Sequence, residues 1–106
     1  MLILKHMDSS DKKLIADYLA GDEKSLEILF ERHLKPIYNF IYGYVNNTHD
    51  CEDIVQETFV KAWRNIKKFD QEKNFKTWLF TIAKNTALDF IKKKKTIPFS
   101  EFENEE

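Results

Sequence analysis

Asp53, Gln56 and Glu57 recur at three- and four-residue steps, so on a helix they form one polar patch. Two carboxylates at that spacing could do acid–base work, or could meet a cationic partner surface. A second set, Thr77, Thr81, Lys84, Asn85 and Lys92, follows one helical stripe. Hydroxyls, an amide and ammonium groups in a row suit a sugar-phosphate backbone and base edges. Catalysis has little support. No Gly-rich phosphate loop, metal-ligand cluster or nucleophile–base pairing occurs, and the 3 histidines and 1 cysteine are scattered. Cys51 lies near His49, yet further ligands at suitable spacing are missing. Cys51 therefore reads as a small packing residue, and His33 as a packed or rim histidine. Asp53 and Glu57 sit on an apparently exposed helix that implies no cavity. A non-enzymatic protein without metal or cofactor is the expectation.

The acidic patch needs a helix, and Asp50–Phe69 supplies one. It begins with Asp50, Glu52, Asp53 and Glu57 and ends with Lys61, Arg64, Lys67 and Lys68. Acids at the start and bases at the end both complement the helix dipole. Ile54, Val55, Phe59, Ala62, Trp63 and Ile66 recur with the period of an amphipathic helix. The opposite side carries Asp53, Gln56, Glu57 and Val60, with no obvious internal partner. Thr48 is a reasonable N-cap. The second set needs another helix, expected over Phe75–Lys95, with Phe75, Trp78, Leu79, Ile82, Ala83, Thr86 and Phe90 inward. Asp70–Asn74 (DQEKN) is a polar loop between the two.

Upstream, Asp11–Leu19 reads as a short helix capped by Asp11, Ser9 or Ser10, with Leu14, Ile15, Tyr18 and Leu19 on its apolar side. Gly21 ends it, and Asp22 caps the next. That helix carries Leu26, Leu29, Phe30 and His33, kinks or restarts at Pro36, and continues with Ile37, Phe40, Ile41, Tyr44 and Val45 to a turn at Asn46-Asn47. Pro98 is expected to stop the last helix.

The 106 residues suit one domain, and 42% hydrophobic with 14% aromatic content is too rich for a disordered chain. With 2 Gly and 2 Pro, turn signals are few, which favours a few long helices. A single cysteine excludes an internal disulfide. No apolar run approaches the roughly 18 residues of a membrane span, and MLIL is too short for a signal peptide. A cytoplasmic protein is expected. The net charge of −1 hides a strong asymmetry. Residues 1–60 hold 6 Lys/Arg against 11 Asp/Glu, residues 61–95 hold 11 against 3, and residues 96–106 hold 4 acids and no base. Such polarity points to one surface for nucleic acid and another for a different partner.

The run Asp53–Glu57 (DIVQE), continuing through Phe59, Ala62-Trp63 and Lys68-Phe69, resembles region 2 of bacterial sigma factors. Phe75–Asn85 (FKTWLFTIAKN) followed by Ala87–Phe90 (ALDF) makes the resemblance specific, and the whole is similar to the extracytoplasmic-function (ECF) group over about Asp11 to Lys95. The resemblance implies an all-α domain, a compact bundle of about four helices. It implies docking on the largest-subunit clamp of core RNA polymerase through Asp53, Gln56, Glu57, Val60 and Trp63. It also implies capture of the melted, single-stranded minus-ten non-template strand of promoter DNA. Asp70, Asn74, Phe75, Lys76, Thr77, Trp78, Thr81, Lys84, Asn85 and Lys92 are the residues it assigns there. An anti-sigma factor is a further possible partner. The expected organisation is a disordered or added N-terminus over 1–10, the domain over 11–95, and an acidic flexible linker start over 96–106. Region 4, the second sigma domain, is expected to be absent. Two other readings stay open: a helical protein-interaction module, and a general single-stranded nucleic-acid binder without promoter specificity.

Overall fold

The computed structural model describes the backbone of residues 9–105 and the side chains of residues 9–94. The expectation for residues 1–8 lies outside the described residues. Four α-helices follow one another: α1 Asp11–Leu19, α2 Glu23–Val45, α3 Thr48–Asn65 and α4 Phe75–Glu105, with a 3-10 turn at Ile66–Lys68 after α3. No strand occurs among the described residues, so the all-α expectation holds.

Each helix boundary has a local cause. Ser10 caps α1, its Oγ accepting from the Lys13 N–H at 3.1 Å. Gly21, at φ 114°, ends α1. There the Gly21 N–H donates to the Tyr18 carbonyl and the Asp22 N–H to the Asp17 carbonyl, both at 3.0 Å, the double bond pattern of a glycine-closed helix end. Asp22 then opens α2 by accepting from the Lys24 N–H at 3.2 Å and the Ser25 hydroxyl at 3.0 Å. Asn46, at φ 50°, closes α2. The cap of α3 is Asn47 rather than Thr48: its Oδ1 accepts from the Asp50 N–H at 2.8 Å. An amide placed one residue earlier reaches that donor, and Thr48 becomes the first helical residue.

Neither proline breaks its helix. α2 runs through Pro36 without a restart, and α4 is helical across Pro98, where a stop was expected. A proline removes one backbone donor. At Pro36 the ring is exposed.

The helices pack around one seam. α1 lies on α2, α2 touches both α3 and α4, and α3 packs against α4. Leu14, Ile15, Leu29, Ile37, Ile41, Ile54 and Leu79 are the large, fully buried side chains at its centre. Leu19, expected inward, is exposed at the end of α1. Asp11 joins α1 to α2 by polar contacts: Arg32 Nη1 donates to Oδ1 at 3.0 Å, and His33 Nε2 donates to Oδ2 at 2.8 Å. His33 is buried, with its ring 5.5 Å from that of Phe75. Cys51 is fully buried, and its thiol donates to the Tyr38 carbonyl at 3.3 Å. Burial pushes this thiol up from its usual range, and the Glu52 carboxylate adds to the effect. Among the described residues no helix is long and apolar enough to cross a membrane.

Asp11→Ala removes the acceptor of a buried imidazole and should cost about 1–3 kcal/mol, read by urea unfolding. A raised thiol pKa means less thiolate at a given pH. Native Cys51 should therefore react with iodoacetamide far more slowly than the urea-unfolded chain from neutral to mildly alkaline pH, and comparable rates would contradict its placement.

Candidate docking face and nucleic-acid interface

α3 is amphipathic in an asymmetric way. Cys51, Ile54, Val55, Thr58 and Ala62 are buried, while Asp53, Gln56, Glu57 and Val60 face outward. Thr58 is tolerated inside because its hydroxyl donates to the Ile54 carbonyl at 2.7 Å. Beside this outward side, α2 and α3 enclose an open groove of about 1300 Å³. Leu34, Tyr38, Phe59, Val60 and Trp63 supply its apolar surface, and Glu31, Glu52 and Asp53 give it acid. Asp53, Gln56, Val60 and Trp63 are thus brought together as expected. Glu57 stands outside the groove lining and pairs with Lys61 Nζ at 3.0 Å.

Trp63 corrects the periodic reading of α3, which put it with the core stripe. It is 54% exposed. The buried seam needs only the narrower set ending in Ala62 and Ile66, so the indole is left on the groove wall. With Leu34 at 46% and Val60 at 37%, it forms an apolar patch that no described side chain covers. Such patches on a soluble surface commonly mark contact sites.

The loop 70–74 is pinned by aromatic rings at both ends. Phe69 and Phe75 meet edge to face at 5.8 Å, and Trp78 lies 4.9 Å from Phe69 and 5.7 Å from Phe75. Phe75 was expected at the DNA surface, yet it is 4% exposed and wedged among Phe69, Trp78 and His33. Its ring has no free face for a base, so it holds the loop instead. Trp78 is half-buried beside it.

Asp70 and Asn74 also turn out to be occupied. Asp70 Oδ1 accepts from the Glu72 N–H at 3.0 Å, a local turn. Asn74 Oδ1 accepts from the Thr77 N–H at 2.9 Å, capping α4. The side chains of Gln71, Glu72 and Lys73 carry no such loop-building bond, and sequence reasoning did not single them out; Glu72 lies 3.7 Å from Lys12 Nζ. The three line a pocket of about 390 Å³ between the loop and the start of α1, together with Ser10, Asp11, Lys12 and Ile15. In the sequence all five loop residues look equally polar. Only the hydrogen-bond accounting separates the two that build the loop from the other three.

On α4, Lys76, Thr77, Thr81, Lys84, Asn85 and Lys92 are exposed. Thr81 donates to the Thr77 carbonyl at 2.9 Å, which leaves its lone pairs outward. Lys76 is offset from this stripe, its Nζ lying 5.8 Å from the Phe80 ring centroid. Trp78 and Asn85 open onto a groove of about 510 Å³ whose other wall is α3, through Lys61, Asn65 and Lys68. These three were noted only as a basic helix end or not at all. Lys94 Nζ reaches back to Asp50 Oδ2 at 2.8 Å and so ties α4 to the start of α3. Loop, α4 stripe and groove make one surface rich in lysine, amide and hydroxyl groups with an aromatic edge. Among the described residues no group of His, Cys, Asp or Glu is placed to hold a metal ion.

The sigma-70 region 2 family pattern matches residues 29–97. The ECF RNA polymerase sigma factor SigW of Bacillus subtilis is 38% identical over 89 residues, which are 84% of this chain and 48% of that protein. The ECF RNA polymerase sigma-E factor of Haemophilus influenzae is 37% identical over 82 residues, 77% of this chain and 43% of that protein. The chain therefore spans about half the length of the curated relatives it matches. An engineered region 2 of sigmaE, solved by NMR in complex with GTAAAA, superposes with a TM-score of 0.76 at 33% identity, over 82% of this chain and 90% of that one. CnrH, solved in complex with the cytosolic domain of CnrY, gives 0.70 at 31% identity over 76% and 53% of the two chains. The family pattern, the relatives and the superposed domain agree: the chain belongs to the sigma-70 region 2 family, as a region 2 domain of the extracytoplasmic-function type.

Proposed function

We propose that this domain acts in bacterial transcription initiation, without catalysis, by docking on the clamp of core RNA polymerase and capturing melted minus-ten DNA. The observation that carries the reading is the separation of two unlike surfaces on one small bundle. The α2–α3 groove joins an exposed Trp63–Val60–Leu34 patch to acidic groups. The loop and α4 carry the lysines, amides and hydroxyls. A protein partner with apolar and cationic groups fits the first, and a polyanion with flat bases fits the second. The sigmaE region 2 bound to GTAAAA supports single-stranded DNA as that polyanion. The work is then cytoplasmic, where polymerase and promoter meet.

The geometry supports a division of labour. Lys76 and Lys84, with Lys61 and Lys68 across the groove, neutralise phosphates. Thr77, Thr81 and Asn85 meet sugar or base edges. The half-buried edge of Trp78 offers a surface to a base, and aromatic stacking is worth about 1–3 kcal/mol per base. Extracting a base from a duplex costs a few kcal/mol, which the loop pocket beside Gln71 and Lys73 would return. Asp70, Asn74 and Phe75 contribute by shaping that pocket. No bond is broken, so melting draws on the difference in binding energy between open strand and duplex. CnrH is held by the cytosolic domain of CnrY. By analogy, an anti-sigma factor that covers either surface would silence this domain.

Reversal of charge in the Asp53→Lys/Glu57→Lys variant should abolish capture by core polymerase without weakening binding to a single strand. Lys84→Ala/Asn85→Ala should do the opposite, and equal behaviour of the two variants would sink the two-surface reading. The affinity for single-stranded DNA should also fall with salt, by roughly −0.7 in log–log slope for each phosphate neutralised. A salt-independent affinity would remove the role given to the lysines.

A further inference from the structure

A chain of polar contacts crosses from the docking side of α3 to the groove beside α4. Glu57 Oε2 lies 3.0 Å from Lys61 Nζ. The same ammonium donates to Thr86 Oγ1 at 3.1 Å. Thr86 in turn donates its hydroxyl proton to the Ile82 carbonyl at 2.7 Å. Thr86 is only 2% exposed, so its hydroxyl is fixed, with the proton committed to Ile82 and a lone pair turned to Lys61. Lys61 is therefore shared between a carboxylate on the outward stripe of α3 and a wall of the groove that holds Trp78 and Asn85.

We infer that Glu57 holds Lys61 in reserve, and that a partner cation engaging Glu57 releases the lysine to a nucleic-acid phosphate in the groove. The inference rests on the two surfaces proposed above and adds a link between them. An ammonium beside a carboxylate is nearly neutral at a distance and attracts a phosphate less than a lone ammonium does. The pair is solvent-exposed, at 38% for Lys61 and 59% for Glu57. Exposed pairs of this kind are weak enough to exchange partners. Thr86 keeps the lysine at the groove while it does so. The coupling is reciprocal, so a strand that takes Lys61 leaves Glu57 open to the docking partner. Glu57 thus acts on the nucleic acid through Lys61 and is a positioning residue for that surface.

The test is a double-mutant cycle on this chain, with a fluorescently labelled GTAAAA strand at low salt and binding followed by anisotropy. Four proteins are compared, each checked as folded by circular dichroism: the unaltered chain, Glu57→Gln, Lys61→Gln and the double variant. Glu57→Gln should tighten binding by roughly twofold to fivefold, the range an exposed ion pair leaves available. Lys61→Gln should weaken binding, and the gain from Glu57→Gln should vanish in the double variant. A gain that survives in the double variant reports loss of a negative charge in general and overturns the link, while the DNA surface stands. If none of the four proteins binds the strand, the DNA surface itself falls and the link falls with it.

Discussion

The contact on which the surface chemistry depends is the edge-to-face packing of Phe69 on Phe75 at 5.8 Å. These rings stand at the two ends of the loop 70–74, so their contact closes it. Loop closure costs conformational entropy, and buried aromatic area offsets that cost at the point where it arises. His33 packs against Phe75 and is fixed in turn by Asp11, so the loop is anchored through α2 to the start of α1. Within the loop, Asp70 and Asn74 use their side chains on backbone donors. What remains, Gln71, Glu72 and Lys73, is presented by a rigid frame rather than by a free tether.

α3 is the wall between the two surfaces. It packs against α4, with the small Thr58 and Ala62 fully covered among its buried residues. Lys61 reaches Thr86 across the junction. The same helix leaves Trp63 and Val60 exposed over the α2–α3 groove. Burying them would have widened the core at the cost of an open apolar surface. The charge asymmetry of the chain becomes spatial through this arrangement, since acids gather by the groove and lysines by the loop and α4.

Much of this was legible in the residue order. Four helices, the caps at Ser10 and Asp22, the breaks at Gly21 and Asn46, and the polar loop all follow from local rules. Asp53, Gln56 and Val60 were legible as one patch because a helix period determines it, whereas Trp63 entered it only through the resemblance. Periodicity says which residues share a face, but not how wide the buried seam is, so Trp63, read with the core stripe, fell just outside it. Phe75 is buried as the helical pattern had it, and its place at the DNA surface came from the resemblance alone. Pro98 was read as a stop because a lost donor is visible in the sequence, whereas the means of tolerating it are not, and at Pro36 the helix continues without the restart that was one of two expectations. Lys61, Gln71 and Lys73 were missed because their roles depend on neighbours distant in the chain, Thr86 for the first and the start of α1 for the others.

The central claim is that one side of the bundle meets nucleic acid while the other is left for protein. The most direct measurement is an amide NMR titration of this chain with a GTAAAA strand. The account predicts shifts at Gln71, Lys73, Lys76, Thr77, Thr81, Lys84 and Asn85, with Gln56, Val60 and Leu34 unmoved. Shifts centred on the α2–α3 groove, or none at saturating strand, would contradict it.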